Sequence, residues 1–230
     1  MPVIESTPAD LWAVVPVKNI DHVKTRLAGV LCSSERQQLF RAMLEDVLQA
    51  LSCCPQLAGV LVVTRDQKAK SIARSYGAHV LVEEKNLGHT AASMLGARTL
   101  AQEKRAGMLQ VPADLPLLTP ADISVLIEAH GPAPAITLAP SRDKKGSNAV
   151  VCTPADVLPL RFGDYSFPPH VAASRALGIE PTIIDRPGLA LDIDTPADLA
   201  VLLEQPSATR SYEYLVASDI RQRLLNKPLA

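Results

Sequence analysis

Leu11-Trp12-Ala13-Val14-Val15-Pro16-Val17 is an unbroken apolar run closed by Lys18. A half-exposed strand would alternate apolar with polar side chains; a continuous run reads as a central parallel strand covered on both faces. Such a strand needs helices on each side of its sheet, and the chain that follows supplies them. Phe40, Met43, Leu44, Val47, Leu48 and Leu51 recur at helical spacing behind a capping box read at Ser34 and Gln37. The alternation continues as strand 59–64, helix 67–76, strand 78–82, helix 90–103 and a buried strand Met108 to Val111. This order predicts an α/β protein with a mostly parallel sheet and helices on both faces.

Beyond that point the tetrapeptide Thr-Pro-Ala-Asp starts at Thr119, Thr153 and Thr195, and once more at Thr7. Thr as N-cap, Pro at the first helical position and an acid in the first turn is a helix-start signature. Helices are therefore expected from about 120, 154 and 196, with another from about Val171. Strands are expected at 135–139, 148–152 and 182–184. Residues 1–205 read as a single domain. Residues 206–230, opening on Gln205-Pro206-Ser207 and carrying Leu215, Val216, Ile220 and Leu224, read as a helical tail that either closes the core or reaches a second subunit.

Composition removes several classes of function. With 23 basic and 24 acidic residues the net charge is −1, so no electrostatic footprint for nucleic acid or an acidic membrane exists. The four cysteines (Cys32, Cys53, Cys54 and Cys152) lack Cys-x-x-Cys spacing and histidine partners, which argues for inert thiols in a reducing compartment. Residues 1–10 lack the basic and apolar segments of a signal peptide, and Leu57 to Val63 is too short to span a bilayer. A cytoplasmic protein acting on small molecules is expected, with a homodimer left open.

The candidate chemistry lies in carboxylates and cations. Asp114 follows a buried strand and precedes Leu115-Pro116, which places it on the carboxyl edge where open α/β sheets bind ligands. Asp192 and Asp194, at i and i+2 of an extended segment, aim the same way. Three such carboxylates with no His or Cys beside them suit a hard cation such as Mg²⁺, held alongside phosphates. The competing reading makes Asp114 a loop residue and Asp194 the start of a turn. Lys18, Lys24 and Arg26 occupy the first strand-to-helix loop on the same edge, able to hold a triphosphate or simply to face solvent. Neither a P-loop nor a Gly-x-Gly-x-x-Gly fingerprint is present. Gly146-Ser147-Asn148 and Phe162-Gly163-Asp164-Tyr165-Ser166 combine glycines with serines suited to a small carboxylate or phosphate, or to turns and caps. His170 reads either as an acid/base or phosphate contact or as a structural histidine.

In order along the chain, Pro16-Val17-Lys18, Lys24-Thr25-Arg26-Leu27, Asp114-Leu115-Pro116, Gly146-Ser147-Asn148-Ala149, Phe162-Gly163-x-x-Ser166-Phe167-x-x-His170 and Leu191-Asp192-Ile193-Asp194-Thr195-Pro196 resemble the 2-phospho-L-lactate guanylyltransferase family of coenzyme F420 biosynthesis. The resemblance covers residues 11 to about 203. The phenylalanine-glycine motif is its most specific part, because the aspartate motifs are shared with sugar-nucleotide and molybdopterin nucleotidyltransferases. It implies a Rossmann-like nucleotidyltransferase fold of the nucleotide-diphospho-sugar transferase (GT-A-like) type. It further implies Mg²⁺ on Asp114, Asp192 and Asp194, GTP phosphates on Lys18, Lys24 and Arg26, and an acceptor carboxylate on Ser147, Gly163 and Ser166. Gly88-His89-Thr90-Ala91-Ala92 departs from an expected Gly-Leu-Asn-x-Ala. With Gly88 on the GTP side, His89 and Thr90 become candidates for reading an acceptor hydroxyl, which favours 3-phospho-D-glycerate over phosphoenolpyruvate and 2-phospho-L-lactate. Rival readings are a nucleotidyltransferase of the same fold acting on a molybdopterin or sugar phosphate, and a nucleotide-binding regulatory module without turnover.

Overall fold

The computed structural model describes residues 10–85 and 87–225. Seven strands, β1 (Leu11–Pro16), β2 (Gly59–Val63), β3 (His79–Leu81), β4 (Gly107–Gln110), β5 (Ala135–Pro140), β6 (Ser147–Thr153) and β7 (Thr182–Ile183), form one sheet in the order β3-β2-β1-β4-β6-β5-β7. β1 pairs in parallel with β2 and β4, β2 with β3, and β5 with β7; β6 runs antiparallel to both β4 and β5. The sheet is therefore mostly parallel, with one reversed strand next to its middle.

The apolar run Leu11–Val17 supplies β1, an interior strand third in the row of seven, and its neighbouring residues feed two different cores. Leu11, Ala13, Val15 and Val17 pack into one core with α1 (Ser33–Ser52), α2 (Gln67–Ser75), α4 (Pro120–Glu128) and α7 (Pro196–Leu203). Trp12 and Val14 pack into the other, below α3 (His89–Gln102) and beside α5 (Phe167–Ala176). The same division recurs on β2 and β6, which is why neither strand shows polar alternation. A short helix, α6 (Pro187–Ala190), leads into the Asp192 segment.

After Gln205 the chain forms α8 (Arg210–Ala217) and α9 (Ile220–Leu225), and Leu215, Ile220 and Leu224 enter the same core as α1. The Asp46 carboxylate of α1 accepts from the backbone N–H groups of Arg210 and Ser211, at 2.8 and 3.0 Å, and so caps α8. Of the two fates open to the tail, the described residues take the first, closure of the core.

Three local expectations need correction. No helix starts at Pro154: β6 runs through Thr153, whose hydroxyl bonds the His130 ring at 2.9 Å and so is not free to cap. α5 starts at Phe167, four residues ahead of Val171, because Pro168 and Pro169 fall in the first turn, where missing N–H groups cost nothing. The cap of α1 lies at Cys32, whose N–H donates to Glu35 at 2.7 Å, in place of the Ser34 and Gln37 pair. Thr119 and Thr195 do cap α4 and α7, each with its aspartate three residues on. The Thr7 copy lies outside the described residues. The four cysteines are free thiols, Cys54 and Cys152 buried and Cys32 and Cys53 exposed.

Candidate functional site

The carboxyl ends of β1 and β4 open into a cleft of about 950 Å³. Lys18, Lys24, Arg26, Gly88, His89, Thr90, Asp114, Ser147, Gly163, Ser166, Asp192 and Asp194 all line it. Apart from His170, which is buried behind the lining, every residue singled out from sequence for metal, nucleotide or acceptor thus reaches one cavity, although they come from six separate stretches of chain.

The two aspartate stretches meet backbone to backbone, Ile193 N–H donating to the Asp114 carbonyl at 3.1 Å. Leu191 and Ile193 are buried in the core, so the intervening Asp192 and Asp194 turn outward to the cleft together. Asp192 is braced by Asn148, whose amide donates to it at 3.1 Å and to the Leu189 carbonyl at 2.9 Å. Asp194 is framed by Asp198, which accepts from the N–H groups of Asp194 and Thr195 at 3.2 and 2.9 Å.

Lys24, expected on the GTP phosphates, is paired within the protein while lining the cleft. Its ammonium bonds both Asp114 and Asp194, the latter at 2.8 Å, with only 6% of the side chain exposed. Lys24 itself lies in the left-handed region, at φ 51°. Burial alone would pull the ammonium down, but the two carboxylates outweigh it and hold the pKa above the ordinary lysine value. Asp194 is correspondingly held low, burial being outweighed by Lys24. Asp192 is pushed up to about 6 by burial first and then by the charges of Asp114 and Asp194. Among the described residues no three His, Cys, Asp or Glu side chains are arranged to hold a metal. The carboxylates nonetheless fit a hard cation chemically: among the described residues Asp114 Oδ1 is buried without a hydrogen-bond partner, and the charge that bridges Asp114 and Asp194 is the Lys24 ammonium.

Arg26 reaches the other wall, bonding Asp164 at 2.8 Å and approaching Asp194 at 3.8 Å. Lys18 is exposed at the end of β1, close enough for its charge to act on both His89 and Asp194. The loop that carries these cations is pinned by Asp66, the N-cap of α2, which accepts from Ile20 N–H at 3.0 Å.

On the wall where the acceptor contacts were expected, the Thr90 hydroxyl accepts from Phe162 N–H at 2.9 Å and lies 3.4 Å from the Phe162 carbonyl, which ties it to backbone. His89 is within 3.0 Å of the Gln110 amide and stands edge-on to Phe162, centroids 4.7 Å apart. Burial pushes its imidazole down to about 4, assisted by Lys18 and Lys24 and opposed by Asp114. Gly88, at φ 97° and ψ 175°, caps α3 in a conformation that side chains rarely adopt, which turns the chain into the cleft just ahead of His89. Ser147 N–H donates to Ser166 Oγ at 2.9 Å, and Ser147 Oγ lies 2.9 Å from His170 Nδ1. Sequence reasoning gave no role to Asn148, Gln110, Asp164 or Asp198. Asn148 and Asp164 stood inside quoted motifs, and Asp198 closes the Thr195 tetrapeptide, where it was read only as a helix-start acid.

The fold and this cleft define the α/β Rossmann-like nucleotidyltransferase class. A Desulfovibrio desulfuricans G20 protein described as a nucleotide-diphospho-sugar transferase superposes with a TM-score of 0.75 at 18% identity, covering 94% of this chain and 98% of its own. Residues 11–224 match the family described as "Guanylyl transferase CofC like". The chain is 38% identical over 192 residues to phosphoenolpyruvate guanylyltransferase of Rubrobacter xylanophilus, covering 84% of this chain and 93% of that one. It is 33% identical to 2-phospho-L-lactate guanylyltransferase of Methanothermobacter thermautotrophicus (88% of each chain) and 35% identical to 3-phospho-D-glycerate guanylyltransferase of Colwellia psychrerythraea (82% and 89%). The chain belongs to this guanylyltransferase family, whose members are nucleotidyltransferases. No helix among its described residues is long and apolar enough to cross a membrane.

Proposed function

We propose that the protein transfers GMP from GTP to a three-carbon phosphoacid and releases pyrophosphate, as a step in coenzyme F420 biosynthesis. The observation that carries this reading is the junction in one cleft of a basic loop, a carboxylate cluster and a wall of serine and glycine. An acceptor phosphate oxygen attacks the α-phosphorus of GTP; the new P–O bond forms as the bond to the bridging oxygen breaks, and its electron pair leaves with pyrophosphate. A phosphomonoester has its second pKa at ~6 and needs no base to be nucleophilic at neutral pH. That agrees with a cleft in which His89, the one histidine among the described lining residues, is pushed down to about 4. Asp114, Asp192 and Asp194 would hold Mg²⁺, which when bound draws charge from the triphosphate oxygens. Lys18 and Arg26 neutralise the outgoing pyrophosphate, and Ser147, Gly163 and Ser166 receive the acceptor carboxylate.

The preference for 3-phospho-D-glycerate rested on His89 and Thr90 reading a hydroxyl. With the Thr90 hydroxyl bonded to Phe162, that basis is weakened, and we place phosphoenolpyruvate first and 3-phospho-D-glycerate second. Several relatives carry the phosphoenolpyruvate name, at up to 38% identity. The test is pyrophosphate release from GTP with the three acids competing at equal concentration, and with sugar phosphates and molybdopterin as controls. A higher kcat/KM for 3-phospho-D-glycerate would reverse the order of acceptors; turnover with the controls alone would reject the reaction.

A further inference from the structure

His170 has 1% of its surface exposed, one turn into α5, and both ring nitrogens are engaged. Nε2 lies 2.9 Å from the backbone nitrogen of Arg161, which can only donate, so Nε2 must accept and carries no proton. The neutral ring therefore bears its proton on Nδ1, and Nδ1–H donates to Ser147 Oγ at 2.9 Å. One lone pair of the Ser147 hydroxyl is consumed from behind. A ring protonated on Nδ1 cannot accept the hydroxyl's own hydrogen, which is left for an acceptor in the cleft that Ser147 lines. Ser166 is treated alike: its Oγ accepts from Ser147 N–H at 2.9 Å, and it lines the same cavity. The ring is also wedged against Phe162, centroids 5.1 Å apart, whose backbone is in turn fixed by Thr90.

We infer that His170 is a positioning residue which, through one fixed tautomer, holds the Ser147 hydroxyl oxygen and leaves its hydrogen to be donated to the anionic acceptor. Burial keeps the ring neutral by pushing its pKa down to about 4, so the arrangement holds across the neutral range. A ring with the opposite tautomer would accept the Ser147 hydroxyl hydrogen; with the proton on Nδ1 it cannot, and that hydrogen stays available to a carboxylate, which can only accept. The inference rests on the phosphoacid reading above and adds to it the group that makes the site selective for an anion.

Two substitutions separate the parts of the ring. The amide nitrogen of Asn overlays Nδ1, so His170→Asn keeps the donor to Ser147 and loses the acceptor for Arg161. The amide oxygen of Gln reaches the place of Nε2, so His170→Gln keeps the acceptor for Arg161 and loses the donor to Ser147. With folding checked by Tm, His170→Gln should raise the acceptor KM by ~10-fold or more while the GTP KM and kcat change by less than ~3-fold, the pattern of lost ground-state binding. His170→Asn should stay within ~3-fold of the parent in acceptor KM. The double variant Ser147→Ala with His170→Gln should be no worse than Ser147→Ala alone. Equal losses in the Asn and Gln variants, or effects that multiply in the double variant, would overturn the inference. If the unmodified protein turns over none of the three acids, the reaction reading fails by itself. Calorimetric titration of the same acids into the parent, Ser147→Ala and His170→Gln then decides this point, equal affinities or no binding counting against it. Should the variants not fold, ¹⁵N NMR of the parent imidazole still tests it: a protonated Nδ1 and bare Nε2 are expected, and the opposite tautomer refutes it.

Discussion

Replacing Lys24 with Met removes one charge and keeps most of the stem, and the structure says what that leaves behind. Asp114 and Asp194 lose their shared ammonium, Asp114 Oδ1 already lacks a partner, and Asp192 beside them is already pushed up to about 6. Breaking a fully buried pair costs roughly 3–5 kcal/mol because a charge is stranded. Here the Asp194 side chain is 44% exposed, so water screens part of the loss and about 2 kcal/mol is the expected destabilisation without divalent cation. In a domain of this size that is a fall of about 4–8 °C in Tm. If the carboxylates also bind Mg²⁺, the ion takes over the role of the missing ammonium. Adding Mg²⁺ to chelator-treated protein should then raise the Tm of Lys24→Met by several degrees more than that of the parent, since ligand binding to the native state stabilises it. Thermal scans in chelator and in saturating Mg²⁺ measure both effects. An unchanged Tm in chelator would refute the electrostatic argument, and equal Mg²⁺ shifts in the two proteins would refute the exchange of one cation for another.

Other expectations follow from the same geometry. Asp192→Asn preserves shape but withdraws charge, and pyrophosphate release should fall by at least ~10²-fold, on the order of 3 kcal/mol of transition-state stabilisation; near-parental turnover at saturating Mg²⁺ would contradict it. Asn148→Ala removes the donor to Asp192 and to the Leu189 carbonyl. It should cost about 1–3 kcal/mol of stability in denaturant titration through the stranded carbonyl, together with a loss of activity that Asn148→Asp does not restore. For His170 the folded pKa of about 4 lies below the ordinary 6.5, so its stabilising contribution is full above pH 6.5 and is lost as pH falls from there to about 4. Roughly 2 kcal/mol should be gone by pH 5. Unfolding free energies between pH 5 and 7 should fall more steeply in the parent than in His170→Asn, and parallel slopes would show that the ring is not buried neutral.

The reading of Lys24, Thr90 and His170 shows where inference from residue order stops. Periodicity exposed the strand at Leu11, the helix at Phe40 and the capping Thr119 and Thr195, because burial on both faces, helical spacing and first-turn hydrogen bonds are set by neighbours within a few residues. The i, i+2 rule likewise sent Asp192 and Asp194 to one side, with Leu191 and Ile193 in the core behind them. Local rules failed once a side chain had a distant partner: Thr153 looked like a cap until His130 claimed its hydroxyl. Lys24 and Asp114 are 90 positions apart and Thr90 and Phe162 72, so nothing in either stretch announces the bond. The sequence by itself determined the layered α/β sheet, the edge on which the candidate site residues gather and the chemical character of the groups sent there. Only the tertiary structure decided which of those groups are free to meet a ligand and which are already bonded to one another, because hydrogen-bonding capacity is finite and is allotted across the whole fold at once.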